Sequence, residues 1–195
     1  MTTDQIKIIK KFEKGIYFSC QMCGGCCKGL DEGEVYLYKK DIKRFAQYLK
    51  MSQKEFCRDY VKLIDDTFYW KGDNTERGKT YKFKTLAFRF LKDEERCYFL
   101  KGNSCSIHEA RAFQCRCFPF WQMMVSSDRN FLDYSNKCPG LRNSLENEGK
   151  YYSKEEILKW ATEEYEMEKK FFLEMKKHDF DIFKVYKFLP KDITC

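Results

Sequence analysis

The chain has 195 residues, 43% of them hydrophobic and 17% aromatic. It is long enough to bury a real core in one domain with an appendage, and too apolar to be disordered throughout. Its 10 Gly and 3 Pro exclude collagen-like and low-complexity architectures, and a net charge of +7, with Lys and Glu interspersed, is too mild to argue for nucleic acid.

Eleven cysteines are the unusual feature. They fall below the roughly 8–10% of a disulfide scaffold. Met1 to Gly15 carries lysines without an apolar run, so no secretory signal is expected. No run of about 18 apolar residues reads as a membrane span. The expected compartment is therefore the cytosol, where clustered cysteines mean metal or catalysis rather than disulfides.

Residues 17–38 hold the first cysteine cluster, followed by Val35 and Leu37, whose alternation signals a short strand. Residues 41–64 read as a helical hairpin. Asp41 is the expected N-cap of a helix bearing Ile42, Phe45, Ala46 and Leu49. Ser52 and Glu55 form a capping box for the second helix, with Met51 and Phe56 as its hydrophobic staple. Phe56, Tyr60, Leu63 and Ile64 are expected on that helix's apolar face.

Residues 67–91 read as a β-hairpin. Phe68 to Trp70 lead into a polar stretch with Gly72, Asp73, Asn74 and Gly78, and Tyr81 to Thr85 alternate strictly. Leu86, Phe88 and Phe90 continue out of phase, as across a bulge. Residues 96–140 carry the second cysteine group, with a turn at Gly102-Asn103 and a short helix near 107–114. Residues 153–177 form the clearest helix. Ser153 and Glu156 cap it, Tyr152 and Ile157 staple it, and Ile157, Trp160, Ala161, Tyr165, Phe172 and Met175 make its apolar face.

The chemistry lies in the cysteines. Cys20, Cys23, Cys26 and Cys27 read C-x2-C-x2-C-C, with Gly24 and Gly25 supplying a permissive backbone for a tight turn. In an extended chain neighbouring side chains diverge, so Cys26 and Cys27 are expected to serve different centres. The second stretch offers Cys97, Cys105, Cys115, Cys117 and Cys138. Eight of these nine ligands would fill two four-coordinate sites. Cys57, mid-helix, and Cys195, at the end, read as bystanders. The C-x2-C-x2-C run with a remote Cys138-Pro139 is similar to bacterial ferredoxins and favours an iron–sulfur centre, a [4Fe–4S] cubane. Zinc accepts the same thiolates and stays open as the alternative.

In order along the chain stand Cys20-Gln21-Met22-Cys23-Gly24-Gly25-Cys26-Cys27, the Asp41-Ile42 and Ser52 to Val61 helices, and Cys97-Tyr98-Phe99-Leu100. Then come Cys105 to Arg111, Cys115-Arg116-Cys117-Phe118-Pro119-Phe120-Trp121 and Cys138-Pro139-Gly140. From about residue 17 to 141 the chain resembles the CxxCxxCC family of zinc- or iron-chelating domains. The resemblance implies Cys20, Cys23, Cys26, Cys27, Cys97, Cys105, Cys115 and Cys138 as ligands. The chain departs from the family pattern at His108, usually Tyr, at Ala112, usually Pro, and at the additional Cys117. His108 and Cys117 are candidate additional ligands. Arg111 and Arg116 are expected to support the sulfurs from outside the ligand set. Phe118 to Trp121 are expected to shield the site from water.

The fold class expected is α+β: a mainly helical domain with a short β-hairpin around a bipartite cysteine site. Residues 1–150 are read as the CxxCxxCC metal-binding domain and 151–195 as a C-terminal helical extension packed on it. The resemblance implies an iron–sulfur oxidoreductase, or a protein-modifying enzyme similar to the cysteine-bearing part of flagellin lysine N-methylases. The latter use S-adenosylmethionine, yet no G-x-G-x-x-G follows a strand here. The alternative is a non-catalytic, zinc-stapled module for protein interaction. A protein substrate or redox partner is expected, with no membrane partner and no nucleic acid, since Tyr81 to Phe90 reads more simply as a two-faced strand.

Overall fold

The computed structural model describes residues 6–31, 33–72, 78–91 and 96–193. Cys195, Asp73 and Asn74 lie outside them. In chain order the elements are β1 (Ile16–Phe18), α1 (Lys39–Tyr48), α2 (Gln53–Tyr60), β2 (Val61–Trp70), β3 (Lys79–Phe88), β4 (Phe90–Leu91), β5 (Arg96–Cys97), β6 (Leu100–Lys101), β7 (Ser104–Cys105), α3 (Phe113–Cys117), α4 (Gln122–Val125), α5 (Asp128–Lys137), α6 (Pro139–Ser144), β8 (Lys150–Tyr152), α7 (Lys154–Lys177) and α8 (Ile182–Val185). Helices combined with small antiparallel strand pairs make this an α+β fold.

The chain forms two compact units that alternate along the sequence. The first takes Met1–Gly33 and Phe90–Glu168, the second Glu34–Arg89 and Lys169–Cys195. No single cut, such as one at residue 150, separates them, because α7 begins in one unit and ends in the other.

In the first unit β1 pairs antiparallel with β8, Ile16 opposite Tyr152. Their inward residues join Ile9, Phe12, Phe120, Met124, Val125, Phe131, Leu141, Ile157 and Ala161 in one buried core. Phe12 and Phe131 meet edge to face at 5.3 Å. The Ser153–Glu156 capping box forms as expected. Ser153 N–H donates to Glu156 Oε2 at 2.9 Å and Glu156 N–H to Ser153 Oγ at 3.3 Å.

The second unit is a helix pair and a hairpin. The Ser52–Glu55 box also forms. Helix α1 starts two residues before Asp41. Asp41 is its N3 residue, with the carboxylate accepting the Tyr38 N–H at 3.2 Å. Leu63 and Ile64 belong to β2 rather than to α2, because the chain turns extended at Val61 and the alternation wins from there. β2 and β3 pair without interruption from Val61↔Phe88 to Trp70↔Lys79, so the hairpin has no bulge. The apparent phase shift has another cause: Thr85, Leu86, Ala87 and Phe88 are all buried, because both faces are covered at that end of the ribbon. Phe45 of α1 and Phe56 of α2 pack on Phe88 there, and the Val35–Leu37 segment closes the free edge of β3 through Leu37 N–H to Leu86 O and Phe88 N–H to Val35 O.

Candidate metal centre

β1 delivers the chain to Ser19, and the cysteine loop follows. The Met22 N–H donates to Cys20 Sγ at 3.4 Å. Met22 and Gly24 take left-handed backbone angles, φ 48° and 76°, which turn the loop back on itself. A 3-10 helix, Gly25–Asp31, then carries Cys26 and Cys27.

The second stretch approaches this loop from two sides. Cys97 lies in β5, opposite Phe90, and Cys105 in β7, opposite Leu100. The Gly102-Asn103 turn joins β6 to β7 as expected. Ser106 N–H bonds to Phe99 O at 2.8 Å and ties the two ends of this segment together. The expected helix near 107–114 is broken: a 3-10 turn, His108–Ala110, precedes α3, which carries Cys115 and Cys117. Cys138 caps the start of α6. Two residues later, a Cβ on Gly140 would fall 2.6 Å from Ser19 O, so α6 lies directly against the start of the cysteine loop.

The two stretches thus meet. The Cys26, Cys97, Cys105 and Cys115 thiols lie within electrostatic reach of one another in all six pairings. Cys138 lies within reach of Cys23 and, more weakly, of Cys26. Burial pushes Cys97 up to about 11 and raises Cys105, Cys115 and Cys138. The Cys27 thiol, hydrogen-bonded to Cys26, raises Cys26, with desolvation adding to it although the residue keeps exposed surface. The chain is not extended here, so the two neighbouring thiols can meet. On a 3-10 turn successive side chains stand about 120° apart, not on opposite faces.

Opposing these shifts are backbone amides and arginines near the sulfurs. The amides of Phe99, of Ile107, and of Gly140 with Leu141 pull Cys97, Cys105 and Cys138 down, respectively. Met22 stands in the same relation to Cys20, two residues upstream of it, and its N–H bonds that sulfur at 3.4 Å. Such bonds favour the anionic thiolate over the thiol. Arg111 holds down Cys26, Cys105 and Cys115, and Arg96 holds down Cys97.

Arg116 makes contacts with its chain neighbours. Its Nε donates to the Arg111 carbonyl at 3.2 Å and its guanidinium lies 5.5 Å over the Phe113 ring. His108 is exposed, and its backbone carbonyl accepts from Arg111 Nε at 3.2 Å. Cys117 is buried on α3, where its thiol donates to Gln114 O at 3.5 Å and has Glu164 and Cys115 as electrostatic neighbours. Trp121 donates to the same Gln114 carbonyl at 2.9 Å and meets Phe118 at 5.0 Å and Tyr134 at 5.5 Å. Cys57 is buried in the second unit, its thiol pushed up to about 12 by desolvation.

Sequence reasoning missed Arg96 and Glu164. Arg96 precedes Cys97 directly. Glu164 sits on the apolar stripe of α7, three residues after Ala161, and a carboxylate at such a position is the signal that could have found it.

All ten cysteines among the described residues are free thiols. Among those residues, no three His, Cys, Asp or Glu side chains stand close enough together to hold a metal ion as placed. The chemistry of the donor set nonetheless suits one: soft sulfurs from two stretches, with backbone amides and cations near them. No solved structure matches the chain. Residues 19–139 match the family model CxxCxxCC, described as a putative zinc- or iron-chelating domain, which supports metal binding as the role of this region. No helix among the described residues is long and apolar enough to cross a membrane. With more than half of its length matched, the chain belongs to the CxxCxxCC family.

Proposed function

We propose that this protein holds an iron–sulfur centre on its cysteines and exchanges electrons with a protein partner. The observation that carries this reading is the set of cysteines from two stretches with backbone amides and arginines close enough to favour their thiolates. Hydrogen bonds to sulfur and net charge are what tune such a centre. When bound, the cluster supplies one-electron chemistry. The chain's own part is to hold it: N–H groups from Met22, Phe99, Ile107, Gly140 and Leu141 stabilise thiolate, and Arg111 offsets its negative charge. The ferredoxin-like spacing of Cys20, Cys23 and Cys26, with Cys138-Pro139, favours iron over zinc. Met22 and Tyr98, 60% and 46% exposed next to ligand cysteines, offer apolar surface for a partner protein.

A second reading has its own support. Strands β4 to β7 are two residues each, too short to be stable alone, and a closed thiolate site would staple them. That role suits zinc. Anaerobic purification decides between them. Iron and acid-labile sulfide, with broad visible absorption that bleaches on reduction, support the first reading. A colourless protein with zinc supports the second and overturns the first.

A further inference from the structure

We propose that the distal end of the β2–β3 ribbon, Tyr69 with Lys71, Lys79 and Lys82, is a binding surface for single-stranded nucleic acid. The proposal does not rest on the metal-binding reading.

The net charge of the whole chain conceals how its charges are divided. The second unit holds 21 of the 37 lysines and arginines but only 12 of the 30 aspartates and glutamates, an excess of nine positive charges. The first unit holds 16 basic and 18 acidic residues. Such an asymmetry within one chain points to a polyanion as the partner of the basic part.

Within the second unit, the distal half of the ribbon lacks carboxylates. Among the described residues of 67–82, the charged ones are Lys71, Lys79 and Lys82, all exposed. Counting Asp73, Glu76 and Arg77 from the sequence, the stretch still carries a net +2. Asp65, further back on β2, is paired with Lys84 at 2.9 Å.

The register places Thr67 opposite Lys82 and Tyr69 opposite Thr80 on one face, so Tyr69 and Lys82 are diagonal neighbours there. The Tyr69 ring lies against Gly78, where any Cβ would collide with it. The residue is nonetheless 57% exposed, so its ring is braced on the ribbon and open to solvent. On the opposite face, Lys79 Nζ and Lys176 Nζ lie 5.2 and 5.5 Å from the Tyr81 ring, which packs on Phe172 at 5.2 Å. Cations therefore border the end of the ribbon on both faces.

A braced, open ring among lysines suits a base stacked beside its phosphates. The exposed face presents Thr67, Tyr69, Thr80 and Lys82, with no aliphatic side chain to enter a bilayer. An acidic protein supplies charge but no base to stack, and a duplex keeps its base faces inside. A single strand supplies both.

The test is fluorescence anisotropy of a labelled 20-nucleotide oligothymidylate with the full chain at fixed metal content. Binding is expected at 50 mM salt and should weaken steeply by 200 mM, as phosphate contacts do. Tyr69→Ala is expected to lose about fivefold or more in affinity, while Tyr69→Phe retains it. Lys82→Gln is expected to weaken binding and flatten the salt dependence, whereas Lys54→Gln, the same charge change on α2, leaves both as they were. Unfolding midpoints confirm that each variant is folded. Absence of binding at 50 mM salt overturns the proposal, as does equal affinity of Tyr69→Ala and the parent. Equal losses in Lys82→Gln and Lys54→Gln overturn the placement on the ribbon. Phosphatidylserine vesicles or polyglutamate bound more tightly than the oligonucleotide would overturn the choice of partner.

Discussion

Glu164 Oε2 accepts the backbone N–H of Gln122 at 2.5 Å, so a carboxylate on α7 satisfies an amide at the start of α4. The bond is made at a cost. Burial first, then the neighbouring Glu168, pushes Glu164 from its ordinary 4.5 up to about 8, against the pull of the Gln122 amide. The unfolded chain releases this proton near 4.5, whereas the folded chain keeps it to about 8. Across that window the folded state binds more protons, so this group's contribution to stability falls as pH rises. Glu164→Gln keeps the acceptor and removes the charge. It is expected to be more stable than the parent at neutral pH, with a shallower decline across the window. Urea unfolding at several pH values, at fixed metal content, checks this. Identical pH slopes in the two proteins would refute it.

Arg111 is the cation shared by Cys26, Cys105 and Cys115. Arg111→Ala is expected to weaken metal binding by roughly 10–100-fold, the usual effect of losing a group that supports ligands from outside. Arg111→Lys is expected to fall between. It keeps a charge but loses the planar fork whose Nε is anchored on the His108 carbonyl at 3.2 Å. Competition with a chromophoric chelator measures both. Equal affinity in Arg111→Ala and the parent would remove Arg111 from the account.

What was legible in the sequence was local or chemical. The boxes at Ser52–Glu55 and Ser153–Glu156 each span four residues and need no tertiary information. The cysteines announce themselves by type. What failed depends on what covers a segment. Leu63 and Ile64 fit a helical face as well as a strand, and only pairing with Leu86 and Thr85 decides. Asp41 looked like an N-cap because Asp favours that role, yet Tyr38 supplies the extended residue and Asp41 completes the box from N3. In the site, the N–H donors of Phe99, Ile107 and Gly140 were invisible. A backbone amide has no side chain to read, and its direction is set by the turn around it.

Phe172 is fully buried in the second unit, with Phe68 stacked at 4.7 Å and Tyr81, Trp70, Phe83 and Phe180 within 6.0 Å. Phe172→Ala removes the ring these aromatics share. A loss of about 3–5 kcal/mol is expected, because rings on a rigid hairpin collapse poorly into the space left. The midpoint of denaturant unfolding reports it. A loss below about 1 kcal/mol would mean that the surrounding rings repack freely.

Gly140→Ala tests whether close backbone contact sets the geometry of the site. In most helices this change stabilises by up to about 1 kcal/mol. Here the new methyl would meet Ser19 O at 2.6 Å and the Phe18 ring at 3.0 Å. The first contact is backbone, one residue past the β1–β8 pairing, and cannot swing aside as a flexible side chain could. Helix α6 must back away, carrying Cys138 with it. Overpacking of this kind costs about 1–3 kcal/mol, so the sign of the substitution should invert. Metal affinity should fall as well, because Cys138 withdraws from Cys23. Unfolding midpoints and chelator competition on the same preparations separate the two effects. A variant as stable as the parent and binding metal as tightly would show that the Ser19–Gly140 contact does not position Cys138.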